Sequence, residues 1–437
     1  MSKYEEKQNN TKFDKNNSLK WNMLSDYIPS VILLTGGAGF IGSHFLTYLV
    51  ETYPHYKIIC LDKLNYCSNI KNFQECELYR NFTFIKGDIC SSDLINFILQ
   101  HECVDTIIHF AAQTHVDNSF DNSINFTQTN VVGTHILLEA ARQYNEAISN
   151  QKNRQIAPFT SSANNNSNSL ISNKNQNFKM KKSLGIRRFI HVSTDEVYGE
   201  AILDAPNGMH QHSSVLNPTN PYAATKVAAE YLVKSYFHSF HFPIIITRGN
   251  NVYGPRQFPE KLIPKFISLL QRNQKLTLHG TGENKRSYLY INDVVEAFDL
   301  ILHRGENGEI YNIGSDKELT NKQVAGYIIN YYNQILNNAI QNHKHDNKNS
   351  SKTNQISLEN YIEYVSDRPY NDLRYFIDTT SLNKLGWKQK ISFEQGLKLT
   401  CQWYMANTDY WADEIESVLT AHPYKSTHQE LFLVQTG

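Results

Sequence analysis

The chain has 437 residues, which admits two or three domains at roughly 150 residues each. Forty-two Lys plus Arg balance 42 Asp plus Glu, so net charge offers no case for nucleic acid or an anionic membrane as partner. Six Cys, at 60, 67, 76, 90, 103 and 401, form no Cys-x-x-Cys pair and no dense disulfide framework. No metal site is read from them, and a reducing, cytoplasmic setting is expected. The polar stretch Met1–Lys20 lacks the apolar core of a secretory signal, and no run reaches the ~18 residues of a membrane span.

Residues 1–28 are polar and are expected to form a disordered tail. Strand signals then alternate with helical ones. Val31–Leu34 is a short apolar run, followed by a glycine-rich turn and helical spacing from Ile41 to Val50. Lys57–Leu61, Phe82–Ile85 and Thr106–Phe110 read as further strands, as do Arg188–Val192 and Pro243–Thr247. Apolar strands separated by helices indicate a parallel sheet covered on both faces, the doubly wound α/β class, with its ligand site at the carboxyl ends of the strands. Two polar stretches interrupt this pattern. Residues 145–184 contain ten Asn, seven Ser and three Gln; a segment of that composition buries too little apolar surface to order itself, so a disordered insertion is expected. A second polar insertion is expected at 336–356. It includes His343 and His345, and the Asn and Lys around them argue against a metal tract.

Thr35-Gly36-Gly37-Ala38-Gly39-Phe40-Ile41-Gly42 follows the first strand and opens a helix. Gly36 allows the tight turn, Gly39 lets backbone approach a pyrophosphate, and Gly42 allows close helix–strand packing. The helix N-terminus favours the phosphate charge. Asp62 falls 20 residues beyond Gly42, where a carboxylate can accept hydrogen bonds from a ribose diol and repels a 2′-phosphate. NAD is therefore expected rather than NADP. Asp88 is placed to face the adenine, and Ala111 and Ala112 keep the end of the fourth strand small beside the cofactor.

Tyr222 and Lys226 lie four residues apart in a helical pattern, on one face. An ammonium beside a phenol lowers the phenol pKa and yields a base near neutrality. Ser193-Thr194 precedes the adjacent acids Asp195 and Glu196. Neighbouring carboxyls repel, so one tends to keep its proton while the other ionises, supplying an acid and a base together. Elimination of water needs both, whereas ketone reduction or epimerisation needs neither.

Taken together, the segments TGGAGFIGSH, LDKLNYCSN, GDI, HFAAQTHVDNS, STDEVYGE, NPYAATK, NNVYGPRQFPEKLIPKFI and RSYLYINDVVEAF resemble the nucleotide-sugar 4,6-dehydratases of the extended short-chain dehydrogenase/reductase superfamily. The resemblance covers about 30–145, 185–335 and 360–405. It implies a Rossmann NAD-binding domain at 29–250, a substrate-binding lobe mainly from 251–415, and a tail at 416–437. Phe40, Ile41, Lys63, Ile89 and Thr129 would join the cofactor site, as would Tyr222 and Lys226. The implied reaction is NAD-dependent conversion of dTDP-glucose to its 4-keto-6-deoxy derivative and water, with UDP-glucose as the alternative. Thr194 would bond the sugar O4, Tyr222 take its proton, Glu196 remove the C5 proton and Asp195 protonate O6. Thr114, Asn251, Lys261, Leu262, Pro264, Arg286, Asn321, Asn371 and Tyr375 match substrate positions. Asn371, where bacterial members carry His, points to the animal-type branch and leaves the base open between thymine and uracil. The helical patterns at 119–144 and 221–240 match those that pair in homodimers of the superfamily. The competing readings are a nucleotide-sugar 4-epimerase or decarboxylase, for which Asp195-Glu196 is superfluous, and a catalytically silent NAD-binding scaffold, which would have lost one of the four catalytic groups.

Overall fold

A computed structural model describes residues 26–156, 184–200, 208–343, 358–367, 371–411 and 415–420. The six expected strands are present as β1 (Val31–Thr35), β2 (Lys57–Asp62), β3 (Phe82–Lys86), β4 (Thr106–His109), β5 (Arg188–Thr194) and β6 (Ile244–Gly249). Beyond them lie β7 (Asn251–Tyr253), β8 (Leu276–His279), β9 (Lys285–Tyr290), β10 (Ile310–Ile313), β11 (Glu318–Thr320) and β12 (Ile362–Val365). The large sheet has the order β10-β6-β5-β4-β1-β2-β3, and every pairing in it is parallel. Strand order reverses between β1 and β4, which opens a crevice at their carboxyl ends.

The helices are α1 (Phe40–Thr52), α2 (Ser92–Glu102), α3 (Val116–Asp121), α4 (Ser123–Phe126), α5 (Thr134–Ile156) and α6 (Pro221–Phe240), followed by α7 (Leu262–Gln271), α8 (Ile291–Arg304), α9 (Asn321–His343), α10 (Thr380–Lys384), α11 (Phe393–Ala406) and α12 (Glu416–Leu419). Side chains alternate across the sheet with period two. Ile32 and Leu34 pack with Phe45, Leu49 and Phe298 of α1 and α8, while Leu33 and Ile59 face Ile98, Leu137 and Val233 of α2, α5 and α6. A smaller lobe holds β7, β9 and β11 in one sheet and β8 with β12 in another. The chain returns to the large sheet with α8 and β10, so the expected 251–415 lobe contributes to both parts.

Three expected boundaries shift. The insertion expected from residue 145 begins later, because α5 continues to Ile156. Ile148 is buried against the same core as Tyr144 and Ile186, and the Asn145 amide bonds both the N–H and the carbonyl of Ile186, at 2.6 and 3.0 Å. Likewise α9 runs to His343, eight residues into the polar stretch expected from 336; residues 157–183 and 344–357, His345 among them, lie outside the described residues. The expected tail ends short of Tyr27. Its N–H donates to the His303 carbonyl at 2.8 Å, its hydroxyl meets Thr106 Oγ1 at 2.7 Å, and the Arg187 and Arg188 guanidiniums lie over its ring. Among the described residues, no helix is long and apolar enough to cross a membrane, and no group of three or more His, Cys, Asp or Glu could hold a metal.

Candidate active site

The carboxyl ends of β1, β4, β5 and β6 open into a cavity of about 450 Å³. At the β1–α1 turn Gly36 has φ +75°, and a Cβ on it would come within 2.5 Å of the Ala111 backbone nitrogen. A Cβ on Gly42 would lie 2.3 Å from the Gly36 carbonyl oxygen, so Gly42 packs against the turn itself rather than against a strand. Both positions require glycine for steric reasons. Asp62 closes the floor of this turn: its carboxylate accepts from the Ala38 N–H at 3.0 Å and the Leu64 N–H at 2.8 Å. Burial raises its pKa, and those two N–H groups oppose the rise. Lys63 reaches Asp88 and Thr129, each at 3.5 Å. Gly39, Phe40, Ile41, Ile89, Ala111 and Ala112 line the same wall. A turn that tolerates no side chain at Gly36 or Gly42, at the amino end of α1 and backed by a buried carboxylate, fits a dinucleotide.

Opposite this wall β5 ends in Thr194, whose Oγ1 caps the following turn by accepting from the Glu196 N–H at 3.3 Å. That turn projects both acids into the cavity. Asp195 Oδ2 accepts from Asn250 Nδ2 at 2.6 Å, and Glu196 Oε2 accepts from Asn220 Nδ2 at 3.0 Å. Burial and then the Glu196 charge push Asp195 up to about 7. Burial also raises Glu196, with the Asn220 amide, Lys261 and Arg286 opposing. The two acids thus differ in surroundings, as the sequence reading requires.

Tyr222 and Lys226 occupy α6, which starts with Asn220 as N-cap and Pro221 at its first position. Here one expectation is overturned. Tyr222 is pushed up, not down, by burial and by the Glu196 and Asp195 charges, with the Thr194 hydroxyl opposing. The Lys226 ammonium donates instead to the Val192 carbonyl at 2.7 Å, and burial lowers it to about 8. Sequence spacing places the pair on one face but does not reveal the competing carbonyl or the two nearby carboxylates.

On the substrate side, Thr114, Asn251, Lys261, Leu262, Arg286, Asn321, Asn371 and Tyr375 all line the cavity. Lys261 Nζ donates to the Thr114 carbonyl at 2.8 Å. The Arg286 guanidinium lies over the Tyr375 ring and donates to the neutral oxygens of Lys285 and Asn371, so these bonds leave its charge uncompensated and suited to a diphosphate. Pro264 is the exception. It is buried in the first turn of α7, where a missing N–H is tolerated, and is not part of the cavity lining. Sequence reasoning missed Asn220 and Asn250, which contact both acids. The Asn-Pro start of α6 was the available signal for the first, whereas Asn250 had none beyond adjoining Asn251.

The fold and the cavity define a dinucleotide-dependent enzyme of the doubly wound class, with an acid pair added to a Tyr–Lys helix. Residues 32–314 match the NAD dependent epimerase/dehydratase family. The chain is 47% identical over 400 residues to the Arabidopsis thaliana trifunctional UDP-glucose 4,6-dehydratase/UDP-4-keto-6-deoxy-D-glucose 3,5-epimerase/UDP-4-keto-L-rhamnose-reductase, covering 92% of this chain and 50% of that one. It therefore spans about half the length of that plant relative. With the dTDP-D-glucose 4,6-dehydratase of Dictyostelium discoideum it shares 44% identity, covering 89% of this chain and 85% of the relative. The crystal structure of a Streptomyces venezuelae dTDP-glucose 4,6-dehydratase, solved with NAD bound, superposes with a TM-score of 0.69 at 32% identity, covering 89% of this chain and 99% of that one. The chain belongs to the NAD dependent epimerase/dehydratase family and, within it, to the nucleotide-sugar 4,6-dehydratases.

Proposed function

We propose that the protein is an NAD-dependent hydro-lyase that converts dTDP-glucose to dTDP-4-keto-6-deoxyglucose and water. The observation that carries this reading is the pair Asp195 and Glu196, buried side by side with separate hydrogen-bond partners and both titrating high. An epimerase has no use for them. NAD, when bound, supplies a hydride acceptor that later returns the hydride, and a positive charge that favours phenolate. Gly36, Gly39, Gly42 and Asp62 would hold it. Tyr222 takes the O4 proton while Thr194 bonds that oxygen, and Lys226 adds positive charge beneath. The resulting ketone acidifies C5–H, and Glu196 takes that proton. The C–H electrons form a C5–C6 double bond as the C6–O bond breaks, and the hydroxyl leaves as water with the proton of Asp195. Glu196 then returns its proton to C5.

The UDP-linked substrate is the second reading, favoured by the 47% identity to the plant relative. The division into 29–250 and 251–415, the cytoplasmic setting and a homodimer belong to the same proposal. The exposed Ile124, Val132, Tyr231 and Phe240, on or beside α4, α5 and α6, support the dimer. Incubating the purified protein with each nucleotide-sugar tests the activity. Product mass one water below substrate, with no net cofactor reduction, is expected; an isomer of unchanged mass would refute it.

A further inference from the structure

We propose that Asn220 and Asn250 are positioning residues that select which oxygen of each acid takes part in the elimination. The inference rests on the dehydratase reading and on the geometry of four hydrogen bonds. Asn250 is buried at the end of β6, and its Oδ1 accepts from the Ser315 N–H at 3.2 Å. Asn220 Oδ1 accepts from the Ala223 N–H at 2.8 Å, as the cap of α6. A backbone N–H can only donate, so neither amide can turn around. Each must therefore present its nitrogen to a carboxyl oxygen: Asp195 Oδ2 at 2.6 Å and Glu196 Oε2 at 3.0 Å.

An oxygen that receives an N–H has no proton on that side. With that N–H on Oδ2, the acidic proton of Asp195 falls to Oδ1, the oxygen that accepts from the Thr194 hydroxyl at 3.3 Å when Asp195 is ionised. Glu196 in turn is left with Oε1 as the oxygen free to collect the C5 proton. The same Asn220 amide ties this base to the first turn of the helix that carries Tyr222 and Lys226, so the oxidising pair and the eliminating base share one anchor. Arg286 and Tyr222 face both acids, Lys261, Asp372 and Tyr375 face Glu196, and the two acids face each other. None of these charged groups replaces the directed N–H.

The test separates positioning from capping. Asn220→Ser keeps a good helix cap but is too short to reach Glu196. Three rates are read on mixing with the nucleotide-sugar: reduction of bound cofactor, exchange of the C5 hydrogen with deuterated solvent, and product formation. Asn220→Ser should leave the first within about 3-fold and slow the second and third at least about 10-fold, the scale of one hydrogen bond to a charged group. Asn250→Ala should leave the first two and slow the third. It should also move the alkaline limb of kcat to higher pH, because the lost N–H favoured ionised Asp195. Any other pattern, including an equal fall in all three rates or none, overturns the proposal. The unmodified protein, run alongside, reports separately on whether the activity itself is as proposed.

Discussion

Replacing Asp195 with Asn should make the protein more stable and nearly inactive. Asp195 is 2% exposed, and burial with the Glu196 charge lifts it from 3.8 to about 7. At roughly 1.4 kcal/mol per pH unit, ionising it inside the fold costs about 4 kcal/mol. The sign follows from the direction of the shift. A raised acid contributes fully below its unfolded value near 4, and that contribution is lost as pH rises through about 7. The amide has nothing to ionise and still offers Asn250 an acceptor, so its advantage should grow by about 2–3 kcal/mol between about pH 5 and about pH 8. Thermal unfolding of both proteins across that range measures it, as a gap of a few degrees that widens with pH. Turnover should fall at least ~100-fold from loss of the general acid. A gap that stays constant or narrows as pH rises would refute the burial argument.

Glu196→Gln should still reduce bound cofactor on mixing with the nucleotide-sugar while forming product at least ~100-fold more slowly; Tyr222→Phe should do neither, and stopped-flow absorbance distinguishes them. Gly36→Ala forces a side chain into a φ of +75° and to within 2.5 Å of the Ala111 nitrogen. It should cost about 1–3 kcal/mol and abolish NAD retention through gel filtration. Deleting 148–181 removes buried Ile148 and should lower stability by about 2–5 kcal/mol in denaturant titration, whereas a deletion starting at 157 spares that residue.

The central strands were legible because parallel strands buried on both faces leave unbroken runs such as Lys57-Ile-Ile-Cys-Leu61. β10 was not, because its four residues include Asn312, whose amide donates to the Met209 and Asp378 carbonyls from inside the core. The helical reach of α5 past residue 145 was hidden by composition: Tyr144 and Ile148, one turn apart, keep a buried stripe going in a polar stretch. At the site, the charged groups and the amides Asn251, Asn321 and Asn371 were legible, whereas Asn220 and Asn250 were not. Asn220 and Asn250 carry no titratable proton, so their part emerges only from which backbone N–H occupies each oxygen. The sign of the Tyr222 shift was misread for a related reason, since neither the burial of its hydroxyl nor the through-space charges of Glu196 and Asp195 have a linear signature.

His109 and His191 are register partners on β4 and β5, with rings 5.5 Å apart, buried in the sheet beside Lys226. His109 is satisfied by Thr35 and Thr134, at 2.7 and 3.0 Å, while neither ring nitrogen of His191 has a hydrogen-bond partner among the described residues. Burial first, and then the Lys226 charge, lower His109 to about 3 and put His191 well below its ordinary value. The unfolded chain accepts protons at both rings near pH 6.5, and the native sheet accepts neither. Their contribution is therefore complete above that pH and drains away below it, by about 1.4 kcal/mol per pH unit for each ring. Acidification would thus act as a ligand for the unfolded chain, and these two rings place part of the protein's acid sensitivity within the sheet rather than in the acids that do the chemistry.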